Sequence, residues 1–298
     1  MHETKITEYT PSIAETEHIA PDSWDEVSRY VTSLTNEPDF ISYVESRQLD
    51  KRSIEHASVL ADYADAVIDQ QGELLDEKTA TQIRLVANAT YITHVSHRID
   101  ELRDHRGASK RLSNEEWNEL NQLKEQAVWY NQLLSNYMYN YSDESFSAIT
   151  QATVDQVLEH MPRNDAATRT MQAISGGART EAATRHLLDD SHVPYRPATQ
   201  EEDLKGADFI LQHPKGEFPV DIKRSLDQLA QYNNGYDFEE HKKLYAIDQH
   251  HKNKRILLFP GFTDNQLGDN LRLNAEQTSA ISILIGTQMM RAGNEIVA

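Results

Sequence analysis

"GADFILQHPKGEFPVDIKRS", residues 206–225, holds two short apolar runs separated by a turn. Each run carries an acid where a strand ordinarily takes an apolar or neutral residue, and the second acid is followed two places on by a lysine. Side chains alternate across a strand, so residues i and i+2 share a face. Phe218, Val220 and Ile222 therefore point one way, into a core, while Asp221 and Lys223 point together the other way. The "HPKG" between the runs predicts a tight connection, and a hairpin sets Asp208 beside the Asp221 end. Two carboxylates and one ammonium then meet at one spot on a sheet. The bland alternative is a hairpin with a solvent-facing salt bridge between Asp221 and Lys223. Pro219 inside the second run removes a ladder hydrogen bond, which leaves open where that strand starts and whether it is central.

The elements around the hairpin decide the class of this half of the chain. Before it come a helix, "AATRTMQAIS" with "GGARTEAATRHLLDDS" beyond the glycine pair, and a short β-like run, "VPYRPAT". After it come a mixed segment to about His251, the strand "KRILLFPGF" and a last helix, "NAEQTSAISILIGTQMMRAG". Helices interleaved with strands predict an α/β module with a mixed sheet. "HMPRND", residues 160–165, reads as the linker before it, giving one domain over 1–165 and a second over 166–298.

The first domain has a different texture. Residues 1–20 show no periodicity and read as a loose arm. Beyond them "DKRSIEHASVLADYADAVIDQQG" predicts a helix ending at Gly72, and a second helix stops at Gly107. The latter carries Ile83, Ala87, Tyr91, Val95, Ile99 and Leu102 on one face. A third helix opens with a Ser113–Glu116 capping box and aligns Trp117, Leu120, Leu123, Ala127, Tyr130, Leu134 and Tyr137. Long helices with short connections predict an α-helical bundle.

Charge separates the halves further. The chain carries a net −19, yet residues 1–165 hold 14 basic against 30 acidic side chains, a net of −16, and residues 166–298 hold 15 against 18, a net of −3. The helical half is thus a poor surface for nucleic acid, whereas a local basic groove remains open to the second half. Absence of cysteine excludes disulfides, thiol nucleophiles and thiolate metal sites. The most apolar stretch, "AISILIG" at 280–286, is far too short for a membrane span. The polar, acidic start has neither the basic residues nor the apolar run of a secretory signal. Together these point to a cytoplasmic protein with no membrane partner.

Carboxylates that converge without a counter-charge repel one another, so the hairpin site calls for a hard cation. Mg²⁺ prefers one or two protein carboxylates and completes its shell with water and phosphate oxygens. The lysine then positions and deprotonates an attacking water, or stabilises the charge that builds on a phosphorane-like transition state. Lys205, Arg224, Lys254 and Arg255 flank the site in sequence and suit phosphate contacts, or are ordinary solvated charges.

An Asp on one strand followed by Asp-x-Lys on the next resembles the signature of the PD-(D/E)xK nuclease superfamily, whose core is that of restriction endonucleases. In that family a helix before the sheet carries a glutamate that completes the metal site, and Glu181 in "GGARTEAATRHLL" occupies such a place. The order of elements is similar to the family's αβββαβ core over residues 170–262. The resemblance implies Asp208 and Asp221 as principal metal ligands, Glu181 as an auxiliary ligand, the Ile222 carbonyl as a further one and Lys223 as the catalytic lysine. It implies a Mg²⁺-dependent DNA endonuclease, with Mn²⁺ able to substitute. Gln228 and Tyr232 have the spacing of the Gln-x-x-x-Tyr pair of RecB-like members, close behind Lys223. The helical half would then serve a protein partner, self-association or gating. The rival expectation is a helical interaction module joined to a non-catalytic α/β remnant.

Other motifs carry less. His241, His250 and His251 lie in polar surroundings and read as solvated. His94 and His97 form H-x-x-H without the glutamate a zinc protease needs, and read as helix-surface or packing residues. The Ser175–Gly176–Gly177 run lacks the Gly-Lys-Ser/Thr of a nucleotide loop and predicts a helix break. The tyrosines of "YNQLLSNYMYNY" read as bundle core or interface rather than base-stacking platforms.

Overall fold

The computed structural model describes residue 21 and residues 23–107, 112–161, 165–204, 206–213, 216–223, 246–247, 257–260 and 267. Most of this is helix, with a small sheet on the C-terminal side. The loose arm, the segment after Lys223 and the last helix lie outside the described residues.

Helix ends follow the local signals. Helix α1, Trp24–Leu34, is capped by Ser23, whose hydroxyl accepts the Glu26 N–H. Helix α2, Pro38–Ser46, begins with proline, whose missing N–H costs nothing in a first turn. Helix α3, Ile54–Gln71, is capped by Ser53 and ends on Gly72, whose φ of 50° favours glycine. Helix α4, Glu77–Gly107, and helix α5, Asn114–Asn140, are the two long rods of the sequence reading. The capping box of α5 is reciprocal: Ser113 N–H donates to Glu116 Oε2 at 2.7 Å, and Glu116 N–H to Ser113 Oγ at 3.1 Å. Helix α6, Phe146–His160, and helix α7, Asp165–Asp190, complete the long helices.

The chain divides into two compact units. One comprises Met1–Tyr137 and Ser147–Ser175, the other Met138–Phe146 and Gly176–Ala298. The chain visits the second unit over Met138–Phe146 and enters it for good inside α7, beyond the 160–165 segment. The glycine pair does not break α7, contrary to the expectation; the helix runs through Ser175, Gly176 and Gly177. Each glycine costs a helix about 1 kcal/mol, but Ser175 and Ala178 on either side are buried, and packing outweighs propensity.

The first unit is a bundle. The apolar stripes of α4 and α5 form its core: Ile83, Ala87, Val95 and Leu102 are fully buried, as are Tyr130 and Leu134. Trp117, at the outer end of its stripe, is exposed instead. Tyrosine supplies both bulk and specific bonds. Tyr130 donates to the Leu85 carbonyl at 3.0 Å, and Gln82 donates to the Tyr137 hydroxyl at 2.8 Å. Trp24 meets Tyr137 edge-on at 5.3 Å. Arg98 grips Glu119 with two nitrogens, at 2.6 and 3.1 Å, joining α4 to α5.

The second unit carries strands β1 (Tyr195–Pro197), β2 (Phe209–His213), β3 (Gly216–Lys223), β4 (Ala246–Ile247) and β5 (Leu257–Pro260), and a short helix α8, Gln200–Leu204. Their spatial order is β1-β2-β3-β5-β4. Only β3 and β5 run parallel; the other neighbours are antiparallel. At the hairpin, Gly216 has a φ of 138° that residues with a side chain rarely adopt. Phe209, Leu211 and Val220 are fully buried on one face. Pro219 now has an account. Val220 O and Ile222 N both bond toward β2, so the alternate residue Pro219 turns its nitrogen away from β2. On that side the ladder with β5 begins only at Val220.

Candidate functional site

Continuing the β2–β3 register by one residue sets Asp208 opposite Asp221. There the ladder changes character. Asp208 N–H donates to the Val220 carbonyl at 2.7 Å, and Ile222 N–H donates not to a backbone carbonyl but to Asp208 Oδ2, at 2.5 Å. The hairpin is therefore closed at its open end by a carboxylate. Asp221 is buried, with 6% of its surface exposed; Asp208 is half-buried.

Electrostatics brings Glu181 into the same group. The Asp208 carboxyl is pushed well above the usual carboxylate range, first by burial, then by the charge of Asp221 and then by that of Glu181. The Ile222 N–H opposes this by favouring the charged form, and Asp203 adds a smaller push upward. Asp221 and Glu181 thus each stand within electrostatic reach of Asp208. Asp203, on α8, is a further acid that the sequence reading passed over. Among the described residues no trio of His, Asp or Glu is gathered tightly enough to grip an ion as it stands. Lys223 closes β3, but its side chain lies outside the described residues, as do Lys205, Arg224, Lys254, Arg255, Gln228, Tyr232, His241, His250 and His251. The engaged part of Ile222 is its N–H.

Two sets of contacts brace the elements that carry the acids. On α7, Glu181 sits between two anchored arginines. Arg179 lies over the Phe146 ring at 4.3 Å and donates to the Leu267 carbonyl at 3.1 Å. Arg185 lies over the Tyr139 ring at 3.9 Å, and Tyr139 in turn donates to Asp189 Oδ2 at 2.5 Å. Tyr195 of β1 reaches the same Asp189 oxygen at 3.4 Å. On the sheet, Arg196 of β1 grips Glu202 of α8 at 2.8 and 2.9 Å and Glu217 of β3 at 3.1 Å. Arg196, followed by the Thr199 N–H, holds the Glu202 carboxyl down at about 2. Asp203 is next to this clamp in sequence. His94 is half-buried in the first unit, and His97 meets Thr170 Oγ1 at 3.2 Å. No helix among the described residues is long and apolar enough to cross a membrane.

The chain matches no protein-family model, no curated protein and no solved structure.

Proposed function

We propose that the chain is a divalent-metal-dependent nuclease that hydrolyses phosphodiester bonds of DNA on a PD-(D/E)xK-type, restriction-endonuclease-like core. The observation that carries this reading is the repulsion that Asp221 and Glu181 exert on Asp208 at the end of the β2–β3 hairpin. Topology is compatible with it: α7 precedes β1, β2 and β3, and β5 runs parallel to β3, with α8 between β1 and β2 and β4 between β3 and β5. The helix expected after β3 lies outside the described residues.

The donor set fits Mg²⁺ or Mn²⁺. Its members are hard oxygens, and their repulsion is what a divalent cation relieves. Asp208, Asp221 and Glu181, with the Ile222 carbonyl, would hold the ion. When bound, such an ion lowers the pKa of a coordinated water and withdraws charge from the phosphate. The chain's own residues do the rest. Lys223 Nζ orients the attacking water and offsets charge that develops on the phosphate oxygens. Lys205, Arg224, Lys254 and Arg255 grip neighbouring phosphates. Arg179 and Arg185, each stacked on an aromatic ring, flank Glu181 along α7. With its net charge of −16, the segment 1–165 serves a protein partner, self-association or gating rather than DNA.

The test compares wild type with Asp208→Ala and Lys223→Ala on plasmid and single-stranded DNA, in Mg²⁺ or EDTA. Wild type should cleave in Mg²⁺ and stop in EDTA, and each variant should lose at least about 100-fold in rate. Equal cleavage by all three proteins would remove the site. A wild type silent in both Mg²⁺ and Mn²⁺ would leave the helical interaction module with a non-catalytic remnant as the better account.

A further inference from the structure

The first unit holds a cavity separate from the acids of the sheet. Its volume is about 330 Å³, within the range of small-ligand sites. Helix α3 supplies one wall through Glu55, Ser58 and Asp62, whose spacing puts them on one stripe. Tyr91 of α4 faces them, and Tyr43 and Arg47 close the far side. Leu49, Ile54 and Val59 provide apolar surface. Ile54 and Tyr91 also pack on the core cluster around Val95 and Leu123, so this part of the lining is held by the bundle itself.

The charges in the lining are unbalanced. Arg47 has its guanidinium over the Tyr43 ring, 4.9 Å from the centroid. Among the described residues Asp62 makes no hydrogen bond and no ion pair. Arg84 of α4 bonds Asp65, at 2.8 Å. Asp62 keeps an exposed surface; partial burial and the Asp65 charge push its carboxyl up to about 6, and Asp62 in turn helps raise the Tyr91 hydroxyl. A carboxylate so placed gains from a cation and loses from an anion. A neutral apolar ligand would only withdraw it further from water.

Spacing selects the kind of cation. Glu55 and Asp62 are seven residues apart on one helix, about 10 Å along its axis. That is too far for both to share one metal ion. It suits two ammonium groups joined by a short alkyl chain, the chain lying on Leu49, Val59 and the Tyr91 ring, whose face also attracts cations.

We infer that this cavity binds a small organic diammonium ion, one head at Asp62 and the other at Glu55. The test is calorimetric titration of the full chain in low salt at pH 7.5 with 1,4-diaminobutane, n-butylammonium and n-butanol. Diaminobutane should bind at least tenfold more tightly than butylammonium, and butanol should not bind. Asp62→Asn should weaken diaminobutane at least tenfold, and Glu55→Gln should reduce it to the level of butylammonium. Asp69→Asn, on the same helix but outside the cavity with 80% of its side chain exposed, should change nothing. Because Asp62→Asn removes a disfavoured charge, the variant should melt no lower than wild type. Two results overturn the inference. One is butanol binding as well as butylammonium. The other is equal weakening by Asp62→Asn and Asp69→Asn, which would mark the binding as diffuse attraction to an acidic chain.

Discussion

Asp208 serves two ends that conflict. Its Oδ2 accepts the Ile222 N–H, a bond that favours the charged carboxylate, while burial, Asp221 and Glu181 favour the neutral acid. The bond can be kept without the charge, since an amide oxygen accepts from the same N–H. Asp208→Asn should therefore abolish cleavage and yet raise the melting temperature at pH 7. The sign follows from linkage. A carboxyl whose folded pKa lies above its unfolded value is favoured neutral by the fold, so its charge costs stability increasingly as pH rises through that window. The gain from Asp208→Asn should then be large at pH 7 and vanish near pH 3.5, read by thermal melts at both. A variant less stable than wild type at pH 7 would show that the carboxylate is structural. The meeting of Asp208 with Asp221 was legible because alternation and one short turn determine it. Asp203 was not, since "QEEDL" in a five-residue helix looks like any solvated acidic run. Nor was the Asp208–Ile222 bond legible, because a side chain bonding to backbone at a strand end leaves no period in the sequence.

At the scale of the element, α7 teaches most. Two adjacent glycines look like punctuation, and the sequence reading ended a helix there. Yet the flanking buried residues keep the helix whole, because packing of a helix face outweighs a propensity deficit of about 1 kcal/mol per glycine. Gly177 itself is exposed, and a methyl group added to it meets nothing within 4 Å. Gly177→Ala should consequently stabilise the protein by about 0.5–1 kcal/mol through reduced backbone freedom in the unfolded chain. A shift of the urea midpoint to higher concentration at constant slope would report this; a shift to lower concentration would mean the turn is not helical. The long stripes of α4 and α5 were easy to read because each repeats over many turns. Strands β1 and β4, with three and two residues, are too short for any period to register, and pairing with neighbours alone defines them.

Over the whole molecule, acid acts on the helical unit through its buried histidines. The His56 and His160 rings lie 5.8 Å apart, and both residues are buried, His56 with 4% of its surface exposed. Burial first, then His160, then Lys51 push the His56 imidazole down to about 4, with Asp50 opposing. Burial lowers His160 and His94 as well; Gln156 and Glu159 partly offset this for His160, and Glu55 does so for His94. A histidine held neutral in the fold binds its proton more readily unfolded, so stability is full above pH 6.5 and falls as pH drops toward 4. For His56 alone the difference amounts to about 3 kcal/mol, a large part of what holds a domain together. Asp62 pulls the other way over the same range, but it is exposed and solvent screens it, so the histidines prevail. The chain supplies its own reporter, since its three tryptophans, Trp24, Trp117 and Trp129, all lie within the helical unit. Trp24 is buried, with 4% exposed, so its emission should shift to the red as that unit opens. Titration from pH 7 to pH 4 should produce this shift between pH 6 and 4. His56→Gln, which carries no titrating charge, should move the transition to lower pH. An emission maximum constant down to pH 4 would mean that water reaches these rings and relieves the protonated form.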